Sequence, residues 1–314
     1  MKRLGVVFVA LLFMLAGCGV YKPSEKLSVV ATVFPAYDFA RAVCEDEEIY
    51  MLLPPGTEIH SFEPSPEDIV KIELADVFIY TGGDSDTWVE KVLKSVDTNN
   101  KTIIKMTDYS ELIYSHGEEE HTHSTEEIDE HKHSHGADEH VWMSPDNAKR
   151  IVSAIADALA SKNPSSAESY IKNAEEYNGK ITGLSESTKE LVENADTRKI
   201  VVADRFPLKY FCNYYSLSYV AAFDACDLLA DADACTVMEL ISTVKNENLG
   251  AVYYIESGSG YLADTVCSET GAKKLMLNSL HTISQSDFSD GMTYLDVMKY
   301  NKEMLKRGLY NAYN

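Results

Sequence analysis

The chain has 314 residues, 45% hydrophobic and 25% charged, so it can bury a core and global disorder is excluded. Its length suggests about two domains. With 28 Lys and Arg against 50 Asp and Glu, the formal charge is −22, which leaves no basic footprint for nucleic acid.

Lys2 and Arg3 precede an apolar run from Gly5 to Ala16. That run is too short to cross about 30 Å of hydrocarbon and fits the h-region of a signal peptide, residues 1–17. Leu15-Ala16-Gly17-Cys18 resembles the lipobox of bacterial lipoproteins. The resemblance implies a lipid on Cys18 and an extracytoplasmic chain anchored to the membrane without spanning it. Residues 18–26 read as a tether. Such a compartment permits disulfides. Removing Cys18 leaves Cys44, Cys212, Cys226, Cys235 and Cys267, an odd number, so at least one is free or intermolecular. Cys226 and Cys235 are close enough in sequence to bridge. No Cys-x-x-Cys occurs, which removes support for a thioredoxin-like or zinc-ribbon reading.

Leu27 to Val33 is an apolar run that predicts a buried strand, and Tyr37 to Val43 a helix. Glu48 to Leu53 predicts a second strand, stopped by Pro54-Pro55-Gly56. Ser65-Pro66-Glu67-Asp68 opens a helix to about Leu74, with Ser as cap and Pro in the first turn. Strands at 77–80 and 102–106 flank a helix at 87–95. A helix at 147–161 follows the polar stretch 116–139, and Pro164 breaks it. Ser166 to about Asn194 then reads as one long helix with Tyr170, Tyr177, Ile181, Leu184 and Leu191 as its stripe. A second βα series follows, with strands at 200–203, 218–223, 251–255 and 274–277. Its helices fall at 208–215, 236–248, 262–269 and 293–310. Alternation of this kind predicts mostly parallel sheets. The expected architecture is α/β. An N-terminal lobe (27–163) and a C-terminal lobe (197–314) are joined by one long rigid helix (164–196). No Gly-rich phosphate cradle lies at any strand-to-helix turn.

Histidine placement carries the chemistry. Seven of the nine His fall between 116 and 140: His116, His121, His123, His131, His133, His135 and His140. Residues 118–139 add nine acids against one Lys, so cations concentrate there. A flexible His-rich loop of this composition collects metal weakly and at several places. A selective site needs rigid elements. His60 follows the second strand, His281 follows the last, and His140 stands at the exit of the loop. In open α/β sheets that strand-end edge is where ligands bind.

Gly56-x-Glu58-x-His60-Ser61-Phe62-Glu63-Pro64-Ser65-Pro66 resembles a signature of the metal-binding receptors of bacterial ABC transporters, the zinc-uptake receptors and manganese-binding adhesin-type lipoproteins. His140-Val141-Trp142-Met143-Ser144-Pro145 resembles the second signature, and the acidic His-rich loop before it resembles the zinc branch. The resemblance extends to Ala75–Gly82 and to Tyr294–Asn301, so it spans the mature chain. It implies two α/β lobes with metal in the cleft and His60 and His140 as first-lobe ligands. It implies delivery of the metal to an ABC permease, the cargo being Zn2+ with Mn2+ as the alternative. The second lobe departs from the pattern. Where a His or Glu is usual, the chain reads Val202-Ala203-Asp204-Arg205-Phe206. Asp204 is the nearest donor and the expected third ligand, the competing reading being an Asp paired with Arg205 or capping a helix. His281 is expected as the fourth. Glu256 reads as structural, and Cys226 as a residue near the cleft.

Three imidazoles and one carboxylate favour zinc over manganese. A monomer is expected. A zinc hydrolase is disfavoured because neither His-Glu-x-x-His nor a Gly-x-Ser-x-Gly elbow occurs, and Glu58 and Glu63 fit loop or packing roles. A surface adhesin is the competing class, and it would need no closed metal site.

Overall fold

Each half of the chain gathers its strands into one sheet in the computed structural model, which describes residues 26–114, 136–225 and 232–310. The signal segment, Cys18, Cys226 and the loop residues His116, His121, His123, His131, His133 and His135 lie outside the described residues. The first sheet holds β1 (Ser28–Ala31), β2 (Glu48–Met51), β3 (Val77–Tyr80) and β4 (Thr102–Lys105) in the order β2-β1-β3-β4. The second holds β5 (Lys199–Phe206), β6 (Ser218–Asp224), β7 (Ala251–Ile255) and β8 (Lys273–Leu277) in the order β6-β5-β7-β8. Every pairing within them is parallel. The fold is therefore two α/β lobes.

Helices α1 (Phe34–Val43), α2 (Pro66–Leu74), α3 (Thr87–Leu93) and α4 (Pro145–Lys162) belong to the first half. Ser65 and Asp68 form a reciprocal capping box on α2, and Ser144 caps α4 through the Asn147 amide. Next comes α5 (Ala167–Glu193), a helix of 27 residues and so about 40 Å long. It buries Tyr170, Ala174, Tyr177 and Ile181 along one stripe. The second half contains α6 (Lys209–Tyr215), α7 (Ala234–Asn246), α8 (Tyr261–Thr270), α9 (Gln285–Ser289) and α10 (Tyr294–Leu309). Among the described residues, no helix is long and apolar enough to cross a membrane.

Among the differences from the sequence reading are those at β5 and α9, and the first helix also starts earlier, at Phe34. β5 continues past Ala203 to Phe206, because a register shift between Val202 and Arg205 lets the polar pair Asp204-Arg205 stay in the strand. Phe206 then stacks on Tyr219 with ring centroids 3.8 Å apart. The short α9 was not expected, as its five residues carry no apolar period. Its signal is the cap, where Ser284 accepts from the Asp287 amide.

One large core cluster runs through both lobes and includes Phe39, Trp142, Tyr177, Phe206, Phe211 and Tyr294. Asp38 on α1 is buried within it. Its carboxylate accepts from the Tyr177 hydroxyl (2.9 Å), the Tyr294 backbone amide (2.8 Å) and Arg41. It thus fastens α1 to α5 and α10. Cys44, Cys212, Cys235 and Cys267 carry free thiols. Asp38→Ala strands a buried hydroxyl and a buried amide, so thermal or urea unfolding should show a loss of about 3 kcal/mol. An unchanged midpoint would show that the three contacts carry no net stability.

Candidate metal centre

His60 lies on a short 3-10 turn, Ile59–Ser61, beyond β2. Pro54-Pro55 ends the strand, Gly56 turns the chain at φ 81°, and buried Ile59 pins the turn to the core. The Gly56 amide donates to the Ile283 carbonyl at 2.7 Å, tying the His60 loop to the His281 loop. Glu139 and His140 immediately precede a second 3-10 turn, Val141–Met143, all of it buried. His281 follows β8, after Leu280, a buried residue held at φ 60°. That conformation is unfavourable for a branched side chain and places strain beside the site.

These residues converge. One donor atom from each of His60, Glu139, His140 and His281 lies within 4.8 Å of the others. His140 Nε2 and His281 Nε2 are 3.3 Å apart, and His60 Nδ1 is 3.4 Å from Glu139 Oε1. Ligands 2.0–2.1 Å from a tetrahedral ion stand about 3.3 Å from one another. Glu139 Oε1 and His60 Nε2 are buried with no hydrogen-bond partner. Buried polar atoms are seldom left so, and together these donors fit a metal.

Three of the four donor residues are held from behind, His281 through its backbone. His140 Nδ1 lies 2.9 Å from Asp138 Oδ1, which fixes the tautomer and leaves Nε2 facing inward. Asp138 is itself held by the Tyr210 hydroxyl, which donates to its carbonyl at 2.8 Å. Glu139 Oε2 accepts from the Ser85 amide (3.0 Å) and hydroxyl (2.8 Å), and Oε1 is the oxygen left over. Ser85 sits in a loop closed by Asp86, whose buried carboxylate accepts from the Thr81 and Gly82 amides. Burial pushes the Asp86 carboxyl up to about 6. A Cβ at Gly83 would stand 2.2 Å from Glu139 Oε2, so glycine makes room for that side chain. The His281 amide donates to half-buried Glu256, which also accepts from Ser279.

Burial lowers the proton affinity of His60 and His281, His281 well below the ordinary value, and the Arg205 charge adds to both. Burial acts on His140 in the same sense, but the charge and hydrogen bonds of Asp138 outweigh it and raise His140.

Of the expected ligands, the structure brings His60, His140 and His281 together. It does not bring Asp204 to them. Asp204 Oδ1 accepts from the Arg205 amide at 2.8 Å and Oδ2 from the Ile255 amide at 3.3 Å. The carboxylate serves the backbone of β5 and β7, with Gly258 packed against it. The paired-Asp reading is closer, although the Arg205 group that Asp204 holds is the amide. The guanidinium turns to Glu58 and Ser257 instead, 3.3 Å from each. Glu139 was missed as a donor. Its signal was an acid adjoining a motif histidine. An extended chain would point the two side chains apart, and the turn at His140 (φ −78°, ψ 44°) brings both inward.

A family model described as zinc-uptake complex component A, periplasmic, matches residues 29–308. The chain is 32% identical over 310 residues to the zinc-binding lipoprotein AdcA of Streptococcus pneumoniae, covering 98% of this chain and 61% of that protein. It is 31% identical over 319 residues to the high-affinity zinc uptake system protein ZnuA of Bacillus subtilis, covering 98% of each. Among solved structures, the Zn(II)-bound ZnuA-like domain of S. pneumoniae AdcA matches with a TM-score of 0.73 and 30% identity, over 91% of this chain and 99% of that one.

Two outcomes test the geometry. Gly83→Ala suits the local backbone (φ −118°, ψ −159°) but its Cβ would stand 2.2 Å from Glu139 Oε2 and 2.3 Å from Glu139 Cβ, so Glu139 must shift, and divalent-metal binding should weaken about tenfold or more with a lowered melting temperature. Equal affinity would show that Glu139 is not a donor. A metal must displace the proton of His140, whose pKa is raised. Affinity should therefore fall by about one decade per pH unit as pH drops through that value. It should fall more steeply only below 6.5, where His60 and His281, both lowered, begin to compete. Affinity flat down to pH 6 would contradict this.

Proposed function

The chain belongs to the zinc-uptake complex component A family, and we propose that it is an extracytoplasmic receptor. It captures Zn2+ between its lobes and passes it to the membrane permease of an ABC importer. The observation that carries this is the buried set of three imidazoles and one carboxylate, with two of its atoms left without partners. Four protein donors leave no open position for a catalytic water, so the reading is binding and not hydrolysis. The nitrogen-rich set suits zinc better than manganese, whose sites use more oxygen. The ligands in this reading are His60, Glu139, His140 and His281. The first lobe (27–163) supplies three and the second (197–314) one, with 164–196 as the link.

The anchor is a lipid on Cys18 after loss of residues 1–17, and the receptor acts as a monomer. The His-rich acidic segment is an auxiliary collector. Tyr114 and Ala137 pair in an antiparallel bridge, so the segment between them begins and ends just before Glu139. Metal gathered there has a short path to the cleft.

Competition titration of the mature chain against a zinc chelator, with manganese in parallel, tests this. The expected result is one tight zinc site and much weaker manganese. His281→Ala should weaken the tight site by on the order of 100-fold or more. Deleting 116–135 should remove only the weaker sites. Tight manganese binding would change the cargo. No tight site for either ion would leave the adhesin reading ahead.

A further inference from the structure

A fixed positive charge inside a cation-binding cleft needs an explanation. Arg205 stands at the register shift near the end of β5, with its side chain only 16% exposed. Its guanidinium donates to Glu58 Oε2 and to Ser257 Oγ. Glu58 is two residues before His60, so this ion pair joins the lobes beside the metal donors. Glu58 and Arg205 also line a cleft of about 360 Å³ with Asp204, Gly258, Ser259 and Tyr261. The other oxygen, Glu58 Oε1, is buried and has no partner.

The charges set the argument. A divalent ion on three neutral imidazoles and one carboxylate leaves one positive charge in the site. Arg205 adds a second beside it, and Glu58 cancels one. In a partly buried setting, unit charges several ångströms apart interact far more strongly than in water. The guanidinium also engages the Glu58 carboxylate, which would otherwise have both oxygens available to a cation next to His60.

We propose that Arg205 is an affinity-setting residue, a built-in cation that opposes the bound metal and draws Glu58 away from it. This rests on the reading of the cluster as the zinc site. Without the guanidinium the Glu58 carboxylate would act on the metal unopposed, so Arg205 holds affinity below that level and speeds release, since affinity differences between related complexes lie mostly in the off-rate. A receptor that must surrender its cargo gains from this. A plain interlobe tie makes a different prediction, because removing either partner then loosens the cleft and weakens binding in both cases.

The test is zinc affinity by chelator competition for the mature chain and for Arg205→Met, Glu58→Gln and the double variant, with metal-free melting temperatures alongside. Arg205→Met should tighten zinc by about tenfold and slow its release. Glu58→Gln leaves the guanidinium uncompensated and should weaken zinc by about tenfold. The double variant should return to within about threefold of the unsubstituted chain. Weakening in both single variants, or no change in a folded Arg205→Met, overturns the proposal. If Arg205→Met does not fold, Glu58→Gln and the double variant decide. Equal affinity in those two overturns the proposal, because the uncompensated charge then has no effect. Absence of a tight site in the unsubstituted chain would overturn the zinc reading itself, and this role with it.

Discussion

Three imidazoles and a carboxylate packed against one another out of water form the arrangement on which the rest depends. Inward-facing lone pairs repel, and burial removes the water that would satisfy them. At 3.3 Å, His140 Nε2 and His281 Nε2 can share one proton or one metal ion, but both cannot be satisfied alone. Such a cluster persists only if each member is fixed from outside. Asp138 behind His140, Ser85 behind Glu139 and Glu256 behind the His281 backbone provide this, and the bond from the Gly56 amide to the Ile283 carbonyl ties down the loop that carries His60. The first two engage the outward side-chain atom and leave the inward one free for a metal ion, which is preorganisation in a concrete form.

The cluster lies on the seam between lobes, so the seam must be held to the same tolerance. The Trp142 indole donates to the Ser279 carbonyl at 2.9 Å, linking the turn after His140 to the strand end before His281. The Tyr294 hydroxyl donates to the Trp142 carbonyl, and the Tyr294 amide to Asp38. One buried path thus runs from α1 through α10 to both first-lobe and second-lobe donors. Among the described residues, Leu280 is one of three non-glycine residues at positive φ, and it alone adjoins a donor. The hydrogen bonds of Ser279 and His281 to Glu256 hold it there.

Much of this was legible in the sequence. The parallel sheets follow from apolar runs separated by amphipathic helices, and strands 77–80 and 251–255 agree to the residue. His60 and His281 could be placed because strand ends in a parallel sheet face the ligand edge. What sequence concealed was rotation. Whether the Asp204 carboxylate reaches the imidazoles or the amides of its own sheet depends on a register shift inside β5, and spacing does not encode that. Whether Glu139 points with His140 or away from it depends on the dihedral angles of one turn. Glu58 and Arg205 are far apart in sequence and meet only because the two lobes pack against each other. The expectation was one carboxylate, Asp204, among three imidazoles; the carboxylate whose oxygen lies within 4.8 Å of the three imidazole atoms is that of Glu139.

On the proposed receptor reading, capture and selectivity have separate physical bases. A charge of −22 and an acidic histidine-rich segment then attract every cation, and that field raises the encounter rate without distinguishing among ions. Discrimination needs a dry, shaped donor set, where hard ions lose hydration that imidazole does not replace. The two demands conflict if met in one place, because an acidic cleft open to water would hold calcium and magnesium as readily. Confining the buried cluster to a single acid, Glu139, and setting a guanidinium beside it keeps the local charge low where the overall charge is high. The attraction then belongs to the surface and the choice to the nitrogen atoms inside.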